Sequence, residues 1–493
     1  MATDDVDTVL AGGIVLTVDE QRRTLDPGAV AVAGDRIVEV GDREEVLAAY
    51  PNADRISLEG SVIMPGLVDS HGHAGHAMTK NLAVAEEEWL EVVEDVYFRG
   101  SDERFWRLDG YIAALEHLEV GVTTSISFPG SKPRVDDPKY ASAAAEGYAD
   151  LGLRHIVNLG PPNLSYPIHY RDVESGEDLS VDLDHAFETT EAVIEDLDGQ
   201  ADGRLSVFVG PSSLVPEFET DDEEVLSGFG LQHSSGSASA HSIEVMERAV
   251  ELADTHETNI QVHAYSGQIK AAAESVPEIL GPHLSLAHAT GISDEEVEIL
   301  AETGTHVSHG PLTNSYANAR FPLVEAMDAG VNVAISTDGA APDRSFDLLS
   351  QGRIAAQLQR VHFEDTSLLP PGKVIEMMTL DAARALGMDD EVGSLEAGKK
   401  ADIIAVDFRT PRLQPAYRHA ERLVHYATGQ DVEFVMVDGT VLRENQSVES
   451  AVSVDVDEII DDAVDAATDA FRRAGVERYA EANPAIWRDV RGQ

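Results

Sequence analysis

The sequence predicts an α/β chain built around a (β/α)8 TIM barrel, with a small β-sandwich domain assembled from both termini. Three observations lead to this expectation. Eight short apolar runs alternate with helical stretches over roughly 320 residues, the pattern of a parallel sheet with crossover helices. Strand-rich material flanks that region on both sides. Metal-competent residues recur where the apolar runs end, the face on which barrels of this kind collect their catalytic groups.

Taken in order, Thr8-Val9-Leu10, Gly13 to Val18, Ala29 to Val32 and Arg36 to Val40 read as short strands, punctuated by Gly12-Gly13, Pro27-Gly28 and Gly34-Asp35. Similar material returns in Ala401 to Asp407 and Val432 to Gly439. The eight barrel strands are expected at Ser61 to Asp69, Gly121 to Phe128, Leu153 to Gly160, Leu205 to Pro211, Asn259 to Tyr265, Leu284 to Thr290, Thr305 to Pro311 and Asn332 to Asp338. Residues 212 to 241, with the run Ser234 to Ser239, read as a long insertion after the fourth strand, either a lid or a disordered segment. Val456 to Gly475 has helical periodicity through Ile459, Ile460, Val464, Ala467 and Phe471, and is expected to pack on the barrel or on a second subunit. The chain therefore divides into residues 1–65 (sandwich, first part), 66–391 (barrel), 392–450 (sandwich, second part) and 451–493 (helical extension).

Composition narrows the function. The 493 residues carry a formal charge of −55, with a pI near 4.4. Nucleic acid and anionic membranes both require clustered Lys and Arg, so neither is an expected partner. Acidic runs are spread along the chain, as in Asp4-Asp5, Glu86-Glu87-Glu88, Asp221 to Glu224 and Asp389-Asp390-Glu391, and only seven of the 35 basic residues are lysine. A surface adapted to high salt, where self-repulsion is screened, accounts for this better than a cationic partner does. There is no cysteine, so a metal must sit on His and carboxylate. With neither a leader-like N-terminus nor an apolar run of about 20 residues, the expectation is a cytoplasmic protein.

The chemistry begins at Pro65-Gly66-Leu67-Val68-Asp69-Ser70-His71-Gly72-His73. In an extended backbone residues i and i+2 share a face, so His71 and His73 point at one spot where a divalent metal would find two neutral nitrogens. Alone, such a pair is also compatible with two surface histidines at a turn. Three further run ends converge on the same rim: Val262-His263-Ala264-Tyr265, Ala287-His288-Ala289-Thr290 and Ser336-Thr337-Asp338-Gly339.

With these segments in place the chain resembles the amidohydrolase superfamily, and within it the cyclic-amidine deaminase and triazine chlorohydrolase-like branch. Met64 to His73, His263, Leu286-Ala287-His288, Val307 to Asn314 and Ser336 to Gly339 carry the resemblance, and Met378 to Gly387 and Gly393 to Asp402 extend it. It implies a single divalent metal ion, zinc or else iron, held by His71, His73, His263 and Asp338. Such an ion lowers the pKa of its water toward neutrality. Asp338 would serve as the base for that water, and His288 would orient it or polarise the scissile carbon. No lysine lies on the fourth strand to be carboxylated, which favours one metal over two.

One departure bears on substrate. Deaminases of this branch carry a glutamate three residues after the fifth-strand histidine, and this chain has Ser266. Serine is a poor acid near pH 7, so ring protonation loses its usual agent, while amide or lactam hydrolysis suffers less. Glu274 reads as a solvated helix residue rather than a replacement. The fourth-strand end, Pro211-Ser212-Ser213, lacks the histidine many relatives carry. His76, His309 and Tyr265 are expected at the substrate, with Tyr265 and Trp89 forming an apolar wall. The expected activity is water-driven cleavage of a non-peptide C–N bond in a small cyclic amidine, amide or N-heterocycle by a homo-oligomer, dimer or higher. Hydrolytic dehalogenation of an N-heteroaromatic ring, or a lapsed metal-binding protein, are the alternatives.

Overall fold

The apolar runs pair in the order in which they occur in the chain. The computed structural model describes residues 6–83, 89–219, 236–313, 320–445, 447–448 and 454–481. The barrel strands are β1 (Leu67–Asp69), β2 (Val122–Pro129), β3 (Arg154–Leu159), β4 (Leu205–Val209), β5 (Ile260–Tyr265), β6 (Leu284–Thr290), β7 (His306–His309) and β8 (Val333–Ile335). Each is parallel to its neighbour in sequence from β1 to β8. Ser70 Oγ donates to Ile335 O at 3.3 Å, and Asp338 N to His71 O at 3.1 Å, drawing the last strand end onto the first. All residues of β1, β2 and β3 are buried, which is why these strands read as continuous apolar runs and not as alternating ones.

Two expected strands differ in extent. Ser61 to Asp69 is two strands, because Ser61–Pro65 pairs antiparallel with Ile403–Asp407 before β1 enters the barrel. Gly66 makes the break. A Cβ there would lie 2.1 Å from Thr123 Oγ1, so only glycine lets the chain pass from one sheet to the other. The eighth strand ends at Ile335, short of Asp338, and Asp338 takes a left-handed backbone with φ 60°.

Inside the barrel Val68, Ile126, Ile156, Phe208 and Ala334 pack against Ala382, Ala383, Leu386 and Val392, so the helix Leu380–Ala385 plugs the end opposite the site. The flanking strands form a seven-stranded sheet from both chain ends, in which Ile14–Leu16, Thr24–Leu25 and Ser61–Pro65 join Ile403–Asp407, Val432–Val437, Thr440–Glu444 and Ser447–Val448. A four-stranded sheet (Thr8–Ala11, Gly28–Ala33, Arg36–Asp42, Asp54–Ser57) faces it across Leu10, Val30, Ile37, Ile63, Ile403 and Phe434.

Four helices matter below: α1 (Glu103–Val120), α2 (Leu348–Phe363), α3 (His419–Tyr426) and α4 (Val456–Ala474). Helix α1 starts where the Asp102 carboxylate accepts from Phe105 N at 2.8 Å and stops at Gly121, φ 82°. The expected tail helix is α4, and it lies on α1 and on the turn Val96–Gly100. Its contact face differs from the expected one. Ala463, Ala466 and Ala470 are buried, whereas Ile460 and Val464 are exposed. Small residues win because Gly100 and Ala470 O approach too closely for a side chain between them. Of the insertion at 212–241, residues 220–235 lie outside the described residues; its ends pair as Phe218–Glu219 with Ser237–Ala238. Asn314 of the seventh-strand motif also lies outside them.

Candidate metal and catalytic centre

Four strand ends bring five side chains to one point. His71 Nε2 and His73 Nε2 each lie 3.3 Å from Asp338 Oδ1, His263 Nε2 lies 3.3 Å from His73 Nε2, and His288 Nε2 lies 3.7 Å from Asp338 Oδ1. All five residues are buried. His288 (φ 69°) and Asp338 (φ 60°) are non-glycine residues in left-handed backbone. Each such residue costs about 1 kcal/mol or more, so the surrounding fold holds the two side chains against local preference.

The donor set fits a divalent cation on this structure's own evidence. His71 Nδ1 bonds Gln261 Oε1 at 2.9 Å, His73 Nδ1 bonds Gly130 O at 2.9 Å, and His263 Nδ1 bonds Ser212 O at 2.7 Å. Gln261 Nε2 donates to Ser70 O at 2.8 Å, which fixes its Oε1 as the acceptor. Each imidazole is thereby set as the Nδ1–H tautomer, leaving three Nε2 lone pairs to converge. His71 Nε2 has no well-formed hydrogen bond among the described residues. Burial lowers the pKa of His73 and drives that of His263 well down, so both favour the neutral, ligating form. Converging lone pairs of this kind are mutually repulsive until a cation lies between them. His71, His73 and His263 on one side, and His71, His288 and Asp338 on the other, bring ligand atoms within 4.8 Å of one another.

Burial opposes ionisation of Asp338, yet the Arg344 guanidinium and the neighbouring imidazoles hold its carboxyl well below the usual range. Its outer oxygen, Oδ2, takes Arg344 Nη1 at 2.9 Å and Thr313 Oγ1 at 2.7 Å. Arg344 Nη2 also donates to Asp338 O at 3.0 Å. The inner oxygen is thus turned toward the histidines. Burial pushes His288 down to about 3, which leaves it a neutral hydrogen-bonding group at pH 7.

A cavity partly open to solvent stands above these groups. His76, Trp89 and Tyr265 line it, as expected from sequence. The His76 ring stacks on His73 with centroids 4.8 Å apart, and its Nε2 bonds Ser131 Oγ at 3.0 Å. Two expected residues stand outside the cavity lining. Ser266 does not line the cavity; its amide donates to Thr290 O at 3.1 Å, closing β5 onto β6. His309 is fully buried with its ring 5.3 Å from Phe321 and is not among the described residues that line the cavity. Glu274 is exposed and does not line the cavity. Sequence reading missed Gln261, Thr313, Arg344, Lys132 and Asn163. Gln261 had a signal, since it precedes His263 by two on the same strand face. Arg344, six residues past Asp338, had none in spacing.

A model of the amidohydrolase family matches residues 62–442, and one of an imidazolonepropionase-like composite domain matches residues 28–53. The chain is 32% identical over 486 residues, 95% of its length and 99% of the relative's, to a 5'-deoxyadenosine deaminase of Methanosarcina acetivorans. It is 28% identical over 475 residues, covering 94% and 98%, to a 5-methylthioadenosine/S-adenosylhomocysteine deaminase of Syntrophobacter fumaroxidans. Among solved structures it is similar to a zinc-bound adenosine deaminase from Xanthomonas campestris, with TM-score 0.78, 22% identity and coverage of 95% and 99%. An atrazine chlorohydrolase from Arthrobacter aurescens, complexed with zinc, follows at TM-score 0.76, 22% identity and coverage of 93% and 100%.

Proposed function

The chain belongs to the amidohydrolase family and is a hydrolase; from that premise we propose that it deaminates a 6-aminopurine nucleoside whose 5' position carries no hydroxyl, releasing ammonia. The single observation that carries this reading is the convergence of three tautomer-fixed imidazoles on the Asp338 carboxylate beneath a solvent-open cavity walled by His76, Trp89 and Tyr265. The near full-length likeness to deaminases of such nucleosides supports the substrate class.

His71, His73, His263 and Asp338 would hold one divalent ion, with zinc the reading that the N/O donor set and the zinc-bound neighbours support. Held there, such an ion would supply the Lewis acidity that makes a water nucleophile available near neutral pH. Asp338 takes a proton from the attacking water and returns it to the departing amine. The new bond is carbon to oxygen, the broken one carbon to nitrogen, and the nitrogen leaves as ammonia. His288 Nε2, beside Asp338 Oδ1, positions the attacking oxygen. Tyr265, His76 and Trp89 wall the ring. The setting is a high-salt cytoplasm, in keeping with the charge of −55 and with no described helix being long and apolar enough to cross a membrane.

A second reading rests on Ser266. With serine at the position where the deaminases place an acid, and with Arg344 on the cavity wall able to donate but not to protonate, hydrolysis of a lactam or cyclic amide is the competing chemistry. Ammonia release from zinc-loaded enzyme in molar potassium chloride separates the two. 5'-Deoxyadenosine or 5'-methylthioadenosine should yield ammonia and the Asp338→Asn variant should yield none. Turnover of cyclic amides alone would favour the second reading. Unchanged activity in Asp338→Asn would end both.

A further inference from the structure

Eight large apolar side chains are exposed among the described residues, and five of them, Leu358, Val361, Phe363, Tyr417 and Tyr426, lie on or beside α2 and α3. On α2, Ile354, Leu358 and Val361 follow at i, i+4 and i+7, forming one stripe. Val361 is 78% exposed. The same 16-residue helix contains no Asp or Glu, where 90 acids in 493 residues would place about three.

The cations of this face are engaged within the chain. Arg353 donates to Ala427 O at 3.4 Å, Arg360 to Leu368 O and Leu369 O at 2.9 Å, and the Arg422 guanidinium lies 5.1 and 4.9 Å from the Tyr417 and Tyr426 rings. His425, next to Tyr426, is within charge range of both Arg353 and Arg360, so the end of α3 runs beside the middle of α2. The patch is therefore continuous, and its acids, Glu364, Asp365 and the Arg418-bonded Glu421, are matched by Arg353, Arg360, Arg418 and Arg422. Helix α4 offers the contrast. Its exposed Ile460 and Val464 stand among Asp457, Glu458, Asp461, Asp462 and Asp465.

We propose that the α2–α3 face is the surface through which two copies of this chain associate, α2 against α2 about a two-fold axis. Charge selects the occupant. A copy carrying −55 is repelled almost everywhere and can approach closely only where acids are few and matched by cations. An anionic membrane is repelled by the remaining surface in the same way. An isologous contact also satisfies the apolar stripe with itself. A helix of 16 residues is about 24 Å long; with α3 beside it the face is of the scale that a standard interface of roughly 800 Å² per partner needs.

The absence of cysteine makes the test direct. Purified full-length protein in molar potassium chloride should sediment as a dimer. Val361→Asp and Leu358→Asp should sediment as monomers with an unchanged circular dichroism spectrum, whereas Val464→Asp should remain dimeric. A short bis-maleimide should link Val361→Cys into covalent dimers at least tenfold more than Val464→Cys. A wild-type monomer at all concentrations, or a dimer that survives Val361→Asp, overturns the proposal. Preferential linking of Val464→Cys does the same. If both aspartate variants misfold, the cross-linking ratio alone decides.

Discussion

Gln261 and Arg344 each determine how a metal ligand presents itself, Gln261 from behind the site and Arg344 from the cavity wall. Gln261 Oε1 accepts the Nδ1 proton of His71 at 2.9 Å, and Arg344 with Thr313 occupies the outer oxygen of Asp338. Outer partners of this kind commonly govern about 10–100-fold in metal affinity. Gln261→Leu and Arg344→Met are therefore expected to weaken zinc binding by about that factor, read by competition with a chromophoric chelator. Equal affinity in wild type and both variants would show that the histidines hold the ion without this support. The histidine pair was legible because a local two-residue spacing dictates a shared face. Arg344 was not, because its meeting with Asp338 depends on how Ser336–Gly339 leaves the sheet, where Asp338 adopts φ 60°. Ser212 contributes through its carbonyl, and a backbone role leaves no mark on side-chain identity. His309 misled for the opposite reason: a histidine at a strand end resembles a site residue, yet this one is packed under Phe321.

At the scale of elements, α1 reaches into the site's supporting loop through one buried carboxylate. Asp109 accepts from Gly75 N at 2.5 Å and Met78 N at 3.1 Å, tying the residues after His73 to the helix. Burial, only partly offset by these amides, raises its pKa from 3.8 to about 6. The native state thus keeps a proton on Asp109 that the unfolded chain has lost between those two values. Its contribution to stability is complete below about pH 3.8 and is lost as pH rises through about 6. The loss is on the order of 3 kcal/mol. Asp109→Asn, which cannot ionise, should flatten the stability profile between pH 4 and 6 in denaturant titrations, relative to wild type. Parallel profiles would mean that Asp109 is ionised throughout. Elements themselves were readable where burial is two-sided, because the strands then appear as unbroken apolar runs. Of the two misjudged boundaries, Ser61 to Asp69 fails for a steric reason. Gly66 sits against Thr123, a contact made across two sheets that no local pattern encodes.

For the whole molecule, net charge was the property most plainly written in the composition, whereas its distribution required the fold. That α2 lacks acids can be read from the chain, but its exposure cannot, since an acid-free apolar helix is equally a core helix. The same charge governs stability. At 0.01 M salt the screening length is about 30 Å, so carboxylates across the surface repel one another; at 1 M it is about 3 Å, and only adjacent groups still interact. The acids of α4 illustrate the density involved, with Asp457, Glu458, Asp461, Asp462, Asp465 and Asp469 on one 19-residue helix. The melting temperature at pH 7 should accordingly rise by on the order of 5 °C or more between these two salt concentrations. General salting-out of apolar surface would also raise it, but the two causes differ in their response to pH. Near the pI of 4.4 the net charge vanishes, because partial protonation leaves the carboxylates balanced by the basic groups, so a net self-repulsion effect must shrink there while a salting-out effect persists. A salt-induced rise as large at pH 4.4 as at pH 7 would assign the stabilisation to apolar burial and remove self-repulsion as the reason for a high-salt setting.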